Sequence, residues 1–163
     1  MSTTADRTSF GNLLEAHGPA ILSTLRHLCR DDNDADDIFQ ETALRVWRNL
    51  GSKPLLRNPR GWLMTIAYHC FVDHRRGAVQ PEPLGELADG KAGDPAVLAL
   101  EAESVDRVRA FTAALPEKLR GVVALHYAGG LSLRQAARAL GISAGTAKSR
   151  LNAALEHLRK VQP

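Results

Sequence analysis

Thr146, Lys148, Ser149, Arg150 and Asn152 crowd into one short run near the C-terminus. Each carries a hydrogen-bond donor, and the hydroxyls and the amide also accept. That set suits phosphate oxygens and the edges of bases. The apolar residues around it, Leu151, Ala154, Leu155 and Leu158, recur at helical spacing, so the two sets occupy opposite faces of one helix. Upstream, Leu133, Ala136, Ala137 and Leu140 predict a first helix of about two turns. Gly141 supplies the left-handed residue that ends it, Ile142 fills the gap, and Ser143 can cap the second helix. Two helices joined by a glycine turn, the second with a cationic outer face, predict a helix-turn-helix whose second helix fits a DNA major groove. Arg134 on the first helix can also reach the nucleic-acid backbone. An ordinary helical hairpin with a solvated face is the plainer alternative. Charge argues against it. From Leu131 onward the basic residues are Arg134, Arg138, Lys148, Arg150, Arg159 and Lys160, and the only acid is Glu156. An idle solvated face mixes its signs.

Two further constellations lie in the N-terminal half. Asp31, Asp32, Asp34, Asp36, Asp37 and Glu41 form an acidic cluster with no base after Arg30 until Arg45. Acids in the first turn of a helix are favoured by its dipole, and an acidic face can dock on a basic partner helix. Then Arg57, Arg60, Arg75 and Arg76, opposed by Asp73, interleave with Trp62, Tyr68 and His69. Rings on which bases stack, beside cations that follow phosphates, suit single-stranded nucleic acid. No nucleophile–base pair, phosphate-cradling loop or metal-ligand cluster stands out, so neither catalysis, nor a metal, nor a cofactor is expected. His17, His27, His74, His126 and His157 are scattered. Cys29 and Cys70 are far apart and lack ligand spacing, which fits a reducing compartment better than a disulfide or a redox sensor.

These side chains need helices to hold them. The 163 residues are 44% hydrophobic but only 5% aromatic, a balance that favours helices packed on helices. The net charge of +3 says less than its distribution. Thr8 or Ser9 can cap a first helix, whose stripe runs from Phe10 to Leu28 and which Gly18-Pro19 is expected to kink or split. A second helix continues from the acids through Trp47 to Leu50 and stops at Gly51. After the loop 52–59, a third runs from about Arg60 to Arg76. Residues 78–94 carry Pro, Gly and scattered acids without periodicity and read as a linker. Helices resume near Pro95 and again at Pro116, the latter ended by Gly129-Gly130. The expected fold is all-α: two small helical domains, 1–77 and 95–163, joined by a flexible linker, 78–94. The start of the chain lacks the apolar core of a signal peptide, and no run is long enough to insert in a membrane, so a cytoplasmic protein is expected.

Three segments together resemble bacterial RNA polymerase sigma factors of the extracytoplasmic function (ECF) group, in the sigma-70 family. DADDIFQETALRVWRNL (34–50) resembles the polymerase-binding helix, NPRGWLMTIAYHCFVDHRRG (58–77) the segment that melts and reads the promoter −10 element, and 115–160 the −35-reading domain. The resemblance implies a partnership with core RNA polymerase and promoter DNA, duplex at −35 and melted at −10. By the same resemblance, Asp36, Asp37, Gln40, Glu41, Arg45 and Trp47 lie on or under the polymerase surface, although Trp47 also reads as a core aromatic. The −10 strand falls to Arg57, Asn58, Arg60, Trp62, Thr65, His69, Arg75 and Arg76, with Trp62 equally suited to the core. His69 stands where the family often has Asn, so base preference there is expected to differ. Lys148, Ser149 and Asn152 match base-reading positions, and Thr146 and Arg150 match positions that touch phosphate and set the fit in the groove. Ala153 replaces a residue that is often basic. Relatives are commonly inhibited by an anti-sigma factor, and one is expected here.

Two rival readings fit parts of the chain. A repressor with an N-terminal sensor domain explains the helix-turn-helix but not the strand-melting surface. A sigma-like decoy that sequesters an anti-sigma factor has no use for Arg75, Arg76, Lys148 and Arg150.

Overall fold

The computed structural model describes residues 4–50, 58–77 and 104–161. They form seven helices and, among the described residues, no strand. In chain order these are α1 (Thr4–Leu28), α2 (Asp32–Leu50), α3 (Pro59–Gly77), α4 (Ser104–Ala114), α5 (Glu117–Val123), α6 (Leu133–Leu140) and α7 (Ala144–Val161). A π-helical turn, Ala124–Ala128, prolongs α5.

The first helix corrects the sequence reading. It starts at Thr4, so Thr8 and Ser9 lie inside it rather than capping it, and it runs unbroken through Pro19. Proline removes the bond to the carbonyl of Glu15. Both residues are exposed, so water can take that carbonyl, while Ile21, Leu25 and Leu28 hold the following turns in the core. The linker 78–94, the helix start near Pro95 and the stop at Gly51 lie outside the described residues.

α2 opens behind Asp31, whose carboxylate accepts the Asn33 N–H at 2.9 Å, and places Asp32 and Asp34 in its first turn. Its buried residues Ala35, Ile38, Thr42 and Val46 follow the helical period. The Thr42 hydroxyl, buried in the core, donates back to the Ile38 carbonyl at 2.7 Å. α3 is capped by Asn58, whose amide oxygen accepts the Gly61 N–H at 3.1 Å, with Pro59 at the first helical position. It buries Leu63, Met64, Ala67, Cys70 and Phe71.

Two cores result. The larger joins Ile21, Leu25, Ile38, Val46, Leu63 and Met64 of α1–α3 to Leu125, Leu131, Ala136 and Ala139 of the C-terminal region. The smaller is confined to the C-terminal region and is built from Leu115, Val122, Val123, Ala137, Ala147, Leu151 and Ala154. Leu140 packs against both. The two helical domains are therefore seated on each other along a common apolar seam.

Candidate nucleic-acid interface

The helix-turn-helix is assembled from short-range signals. Ser132 starts α6 with a capping box: its hydroxyl accepts the Gln135 N–H at 3.1 Å, and the Gln135 side chain accepts the Ser132 N–H at 2.9 Å. Gly141 ends the helix at φ 69, ψ 32. The N–H groups of Gly141 and Ile142 return to the carbonyls of Arg138 and Ala137, at 3.2 and 3.0 Å, which closes a Schellman turn. Ile142 packs into the smaller core, as its place in the turn requires. Ser143 then caps α7, accepting the Thr146 N–H at 3.1 Å and sharing a 2.9 Å bond with the Thr146 hydroxyl.

α7 buries Ala147, Leu151 and Ala154. Its other side leaves Thr146, Lys148, Ser149 and Asn152 exposed, with Arg150 half-buried. Arg134 is exposed on α6. Leu155 and Leu158 are only partly covered; with Phe111, Tyr127 and His27 they line an open apolar groove.

The ring-rich helix α3 is divided. His69 and Arg76 are exposed, and Asn58 is exposed as the cap. Trp62 is half-buried against the larger core. The Thr65 hydroxyl donates to the Gly61 carbonyl at 2.7 Å. Arg60 and Arg75 turn to the C-terminal domain: Arg60 Nε donates to the Gly129 carbonyl at 2.6 Å, and Arg75 pairs with Glu117 while lying 5.7 Å from the centre of the Phe71 ring. Arg57 lies outside the described residues.

On α2, Asp36, Asp37 and Gln40 are exposed. Glu41 and Arg45 pair at 3.1 Å, and Arg45 also bridges to Asp73 on α3 at 2.8 Å. Those carboxylates, Asp73 first, hold the Arg45 guanidinium above its usual range. Trp47 meets Phe10 edge-on at 5.1 Å, with α1 against it. Sequence reasoning passed over Leu44, a large apolar side chain left 49% exposed. It follows Asp37 by seven residues and Gln40 by four, so helical spacing puts it on their face, and that spacing was the available signal. Glu117 was also missed, since its partner Arg75 is 42 residues away and no local pattern links them.

The thiols are poor nucleophiles. Burial, helped by the nearby Asp34 carboxylate, pushes Cys29 up to about 12, and burial likewise raises Cys70. Among the described residues no cluster of His, Cys, Asp and Glu could hold a metal ion, and no helix is long and apolar enough to cross a membrane.

Residues 13–79 match the family description of sigma-70 region 2, and residues 106–158 match sigma-70 region 4. The chain is 32% identical to the ferric citrate uptake sigma factor FecI of Escherichia coli, covering 96% of this chain and 92% of FecI. It is also 32% identical to the ECF RNA polymerase sigma factor SigL of Mycobacterium tuberculosis, over 90% of this chain and 85% of SigL. The chain belongs to the ECF sigma factors of the sigma-70 family. The fold agrees: the sigma factor RpoE of Bartonella quintana, solved with the anti-sigma factor NepR, superposes with a TM-score of 0.72 at 22% identity, over 95% of this chain and 99% of RpoE. CnrH, solved with the cytosolic domain of CnrY, gives 0.66 at 24% identity, over 95% of this chain and 88% of CnrH. As an ECF sigma factor, the protein is a transcription initiation factor. It binds core RNA polymerase and directs initiation at promoters through their −35 and −10 elements.

Proposed function

We propose that residues 1–77 engage core polymerase and the melted −10 strand, and that residues 95–163 read the −35 duplex. The observation that carries this is α7: Ala147, Leu151 and Ala154 on its apolar side are packed in the smaller core, while Thr146, Lys148, Ser149 and Asn152 stand exposed opposite them. A helix so divided presents donors and acceptors to a groove without surrendering any core contact. Arg134 and Arg150 flank that face and set its register on phosphates. On the other domain, Asp36, Asp37, Gln40 and Glu41, with Leu44 among them, offer an acidic face with one apolar anchor to the polymerase. Arg45 and Trp47 support this face from behind, through Asp73 and Phe10. Asn58, Trp62, Thr65, His69 and Arg76 lie along the helix given to the strand, with Arg57, Arg60 and Arg75 completing the set. Unstacking a base costs a few kcal/mol, which contacts of this kind must offset.

The protein performs no catalysis of its own, requires no cofactor and works in the cytoplasm, where the polymerase is. An anti-sigma factor holds it inactive; its relative RpoE was solved in complex with one. Run-off transcription with purified core polymerase tests the reading. Fragments bearing the promoters of genes induced on overproduction should give transcripts of defined start only when this protein is added. A polymerase that stays silent on all of them, or starts equally well without it, overturns the assignment and favours a decoy.

A further inference from the structure

We propose that the cavity where the α1–α2 turn, the end of α3 and the α4–α5 turn meet is a binding site for a small organic phosphate, whose phosphate group is held by Arg30, Arg75 and Arg120. The site lies apart from the surfaces assigned to DNA and polymerase, Arg75 excepted, and does not depend on those assignments.

The cations come first. Arg120 is only 8% exposed, and its Nε and Nη2 donate to the backbone carbonyls of Thr112, Ala113 and Leu115. Carbonyl partners hold a guanidinium without neutralising it. Its Nη1 makes no hydrogen bond among the described residues. No buried side-chain nitrogen or oxygen there lacks a partner, so Nη1 opens to the cavity that Arg120 lines. Arg30, exposed in the α1–α2 turn, and Arg75, near the end of α3, line the same cavity. The three lie close enough to feel one another: after burial, the charges of Arg30 and Arg75 are what lower the Arg120 pKa. The two carboxylates on the wall are occupied already. Glu117 pairs with Arg75, and Asp34 lies 3.5 Å from His74 Nε2. No carboxylate among the described residues pairs with Arg30 or Arg120. Gathering like charges costs Coulomb energy that an anion between them removes, and the guanidinium fork matches a phosphate group.

Size and the remaining walls say what the phosphate is attached to. The cavity measures about 640 Å³, inside the range of roughly 300–1,000 Å³ that small-molecule sites occupy and far more than a bare phosphate ion fills. Leu28, Ile38, Phe71 and Leu115 lie beneath it, and Ala114 and Pro116 stand at its edge. An apolar body of a few carbons can cover these side chains while its phosphate meets the arginines, and each part then adds to the affinity. The concave shape favours such a molecule over the backbone of a duplex. The walls come from both domains, Arg30, Phe71 and Arg75 from one and Leu115, Pro116 and Arg120 from the other. A ligand held there binds the folded, assembled chain alone and stabilises it by mass action.

Calorimetric titration of the full chain at constant ionic strength tests the site, with phenyl phosphate, inorganic phosphate and phenol as probes. Phenyl phosphate should bind at one site with a Kd below about 1 mM, inorganic phosphate should bind more weakly, and phenol should not bind. At a hundredfold excess over Kd, phenyl phosphate should raise the melting midpoint by roughly 5–10 °C. Two exposed or partly exposed positions shift the affinity in opposite directions while sparing the core. Arg30→Gln should weaken binding about 3- to 10-fold, and Asp34→Asn, which removes a like charge from the wall, should tighten it. Lys148→Gln loses the same charge as Arg30→Gln but on the duplex-reading face, and should bind phenyl phosphate as the parent does. No saturation by about 10 mM phenyl phosphate overturns the site. Equal weakening by Arg30→Gln and Lys148→Gln shows general attraction to a basic protein and overturns it too. Inorganic phosphate binding as tightly as phenyl phosphate refutes the apolar half of the proposal, and an adventitious ion is then all the cavity holds.

Discussion

Arg120 shows what one buried cation does here. Its guanidinium reaches the carbonyls of Thr112 and Ala113 at 3.3 Å and of Leu115 at 3.1 Å, in and just beyond the last turn of α4. Burial lowers its pKa, and Arg30 and Arg75 nearby add to that, yet it stays charged and answers the negative end of the helix. Arg120→Met keeps much of the volume and removes the guanidinium donor from all three carbonyls, of which Thr112 retains the Leu115 N–H at 3.2 Å. It should cost about 2–4 kcal/mol, read as a lower urea midpoint with an unchanged slope. Lys148 is the opposite case, exposed and held by no neighbour in the fold's interest. Lys148→Ala should leave the urea midpoint unchanged and weaken −35 duplex binding by about 1–3 kcal/mol, with altered base preference. A uniform loss across sequences, with the salt slope reduced by about one, would assign it to a phosphate instead. The sequence made the outer face of α7 readable because its pattern is local. It could not reveal that Arg45 serves Asp73, or that Arg60 serves Gly129 from 69 residues away. Long arginines choose partners by tertiary placement, and composition sees only their charge.

At the scale of elements, legibility followed the same divide. α6 and α7 were read nearly to the residue because caps, a glycine turn and apolar spacing agreed within thirty residues. The Ser132–Gln135 capping box went unremarked although its spacing was in plain view. The π-helical turn at Ala124–Ala128 has no such signature: it widens α5 where Gly129 and Leu131 return their N–H groups to the carbonyls of Ala124 and Leu125. α1 is not split at Pro19, because Glu15 and Pro19 lie on its exposed side, which periodicity alone does not reveal. The turn between α6 and α7 invites a direct test. Gly141 sits at φ 69 with open space around it, so alanine there meets backbone strain and no clash. Gly141→Ala should lower stability by about 1–2 kcal/mol in a thermal melt. It should also weaken −35 binding beyond that loss, because the turn sets the angle at which α7 is offered. Unimpaired binding by the folded variant would show that the angle is held by the smaller core alone.

For the molecule as a whole, the sequence suggested two bodies and a tether, and the fold adds a seam between them. The reason the seam was invisible lies in α6. Its apolar residues read in the sequence as one stripe, but they serve two cores: Ala136 and Ala139 join the core of α1–α3, Ala137 joins that of α7, and Leu140 touches both groups. A short alanine-rich helix admits close approach on either side, and periodicity cannot say which side meets which neighbour. Leu125, fully buried, sits at the same junction. The consequence is thermodynamic. If the larger core needs Leu125 and Ala136 to be complete, α1–α3 cannot keep their full stability once the C-terminal domain has melted, and the chain should unfold in a single transition. Leu125→Ala opens a cavity at the seam and should cost about 2–5 kcal/mol. Amide exchange separates the possibilities: in the variant, protection should fall together in α2, α3, α5 and α6. A loss confined to α5–α7, with α2 and α3 unchanged, would show that the N-terminal domain stands without its partner and that the seam is a contact and not a shared core.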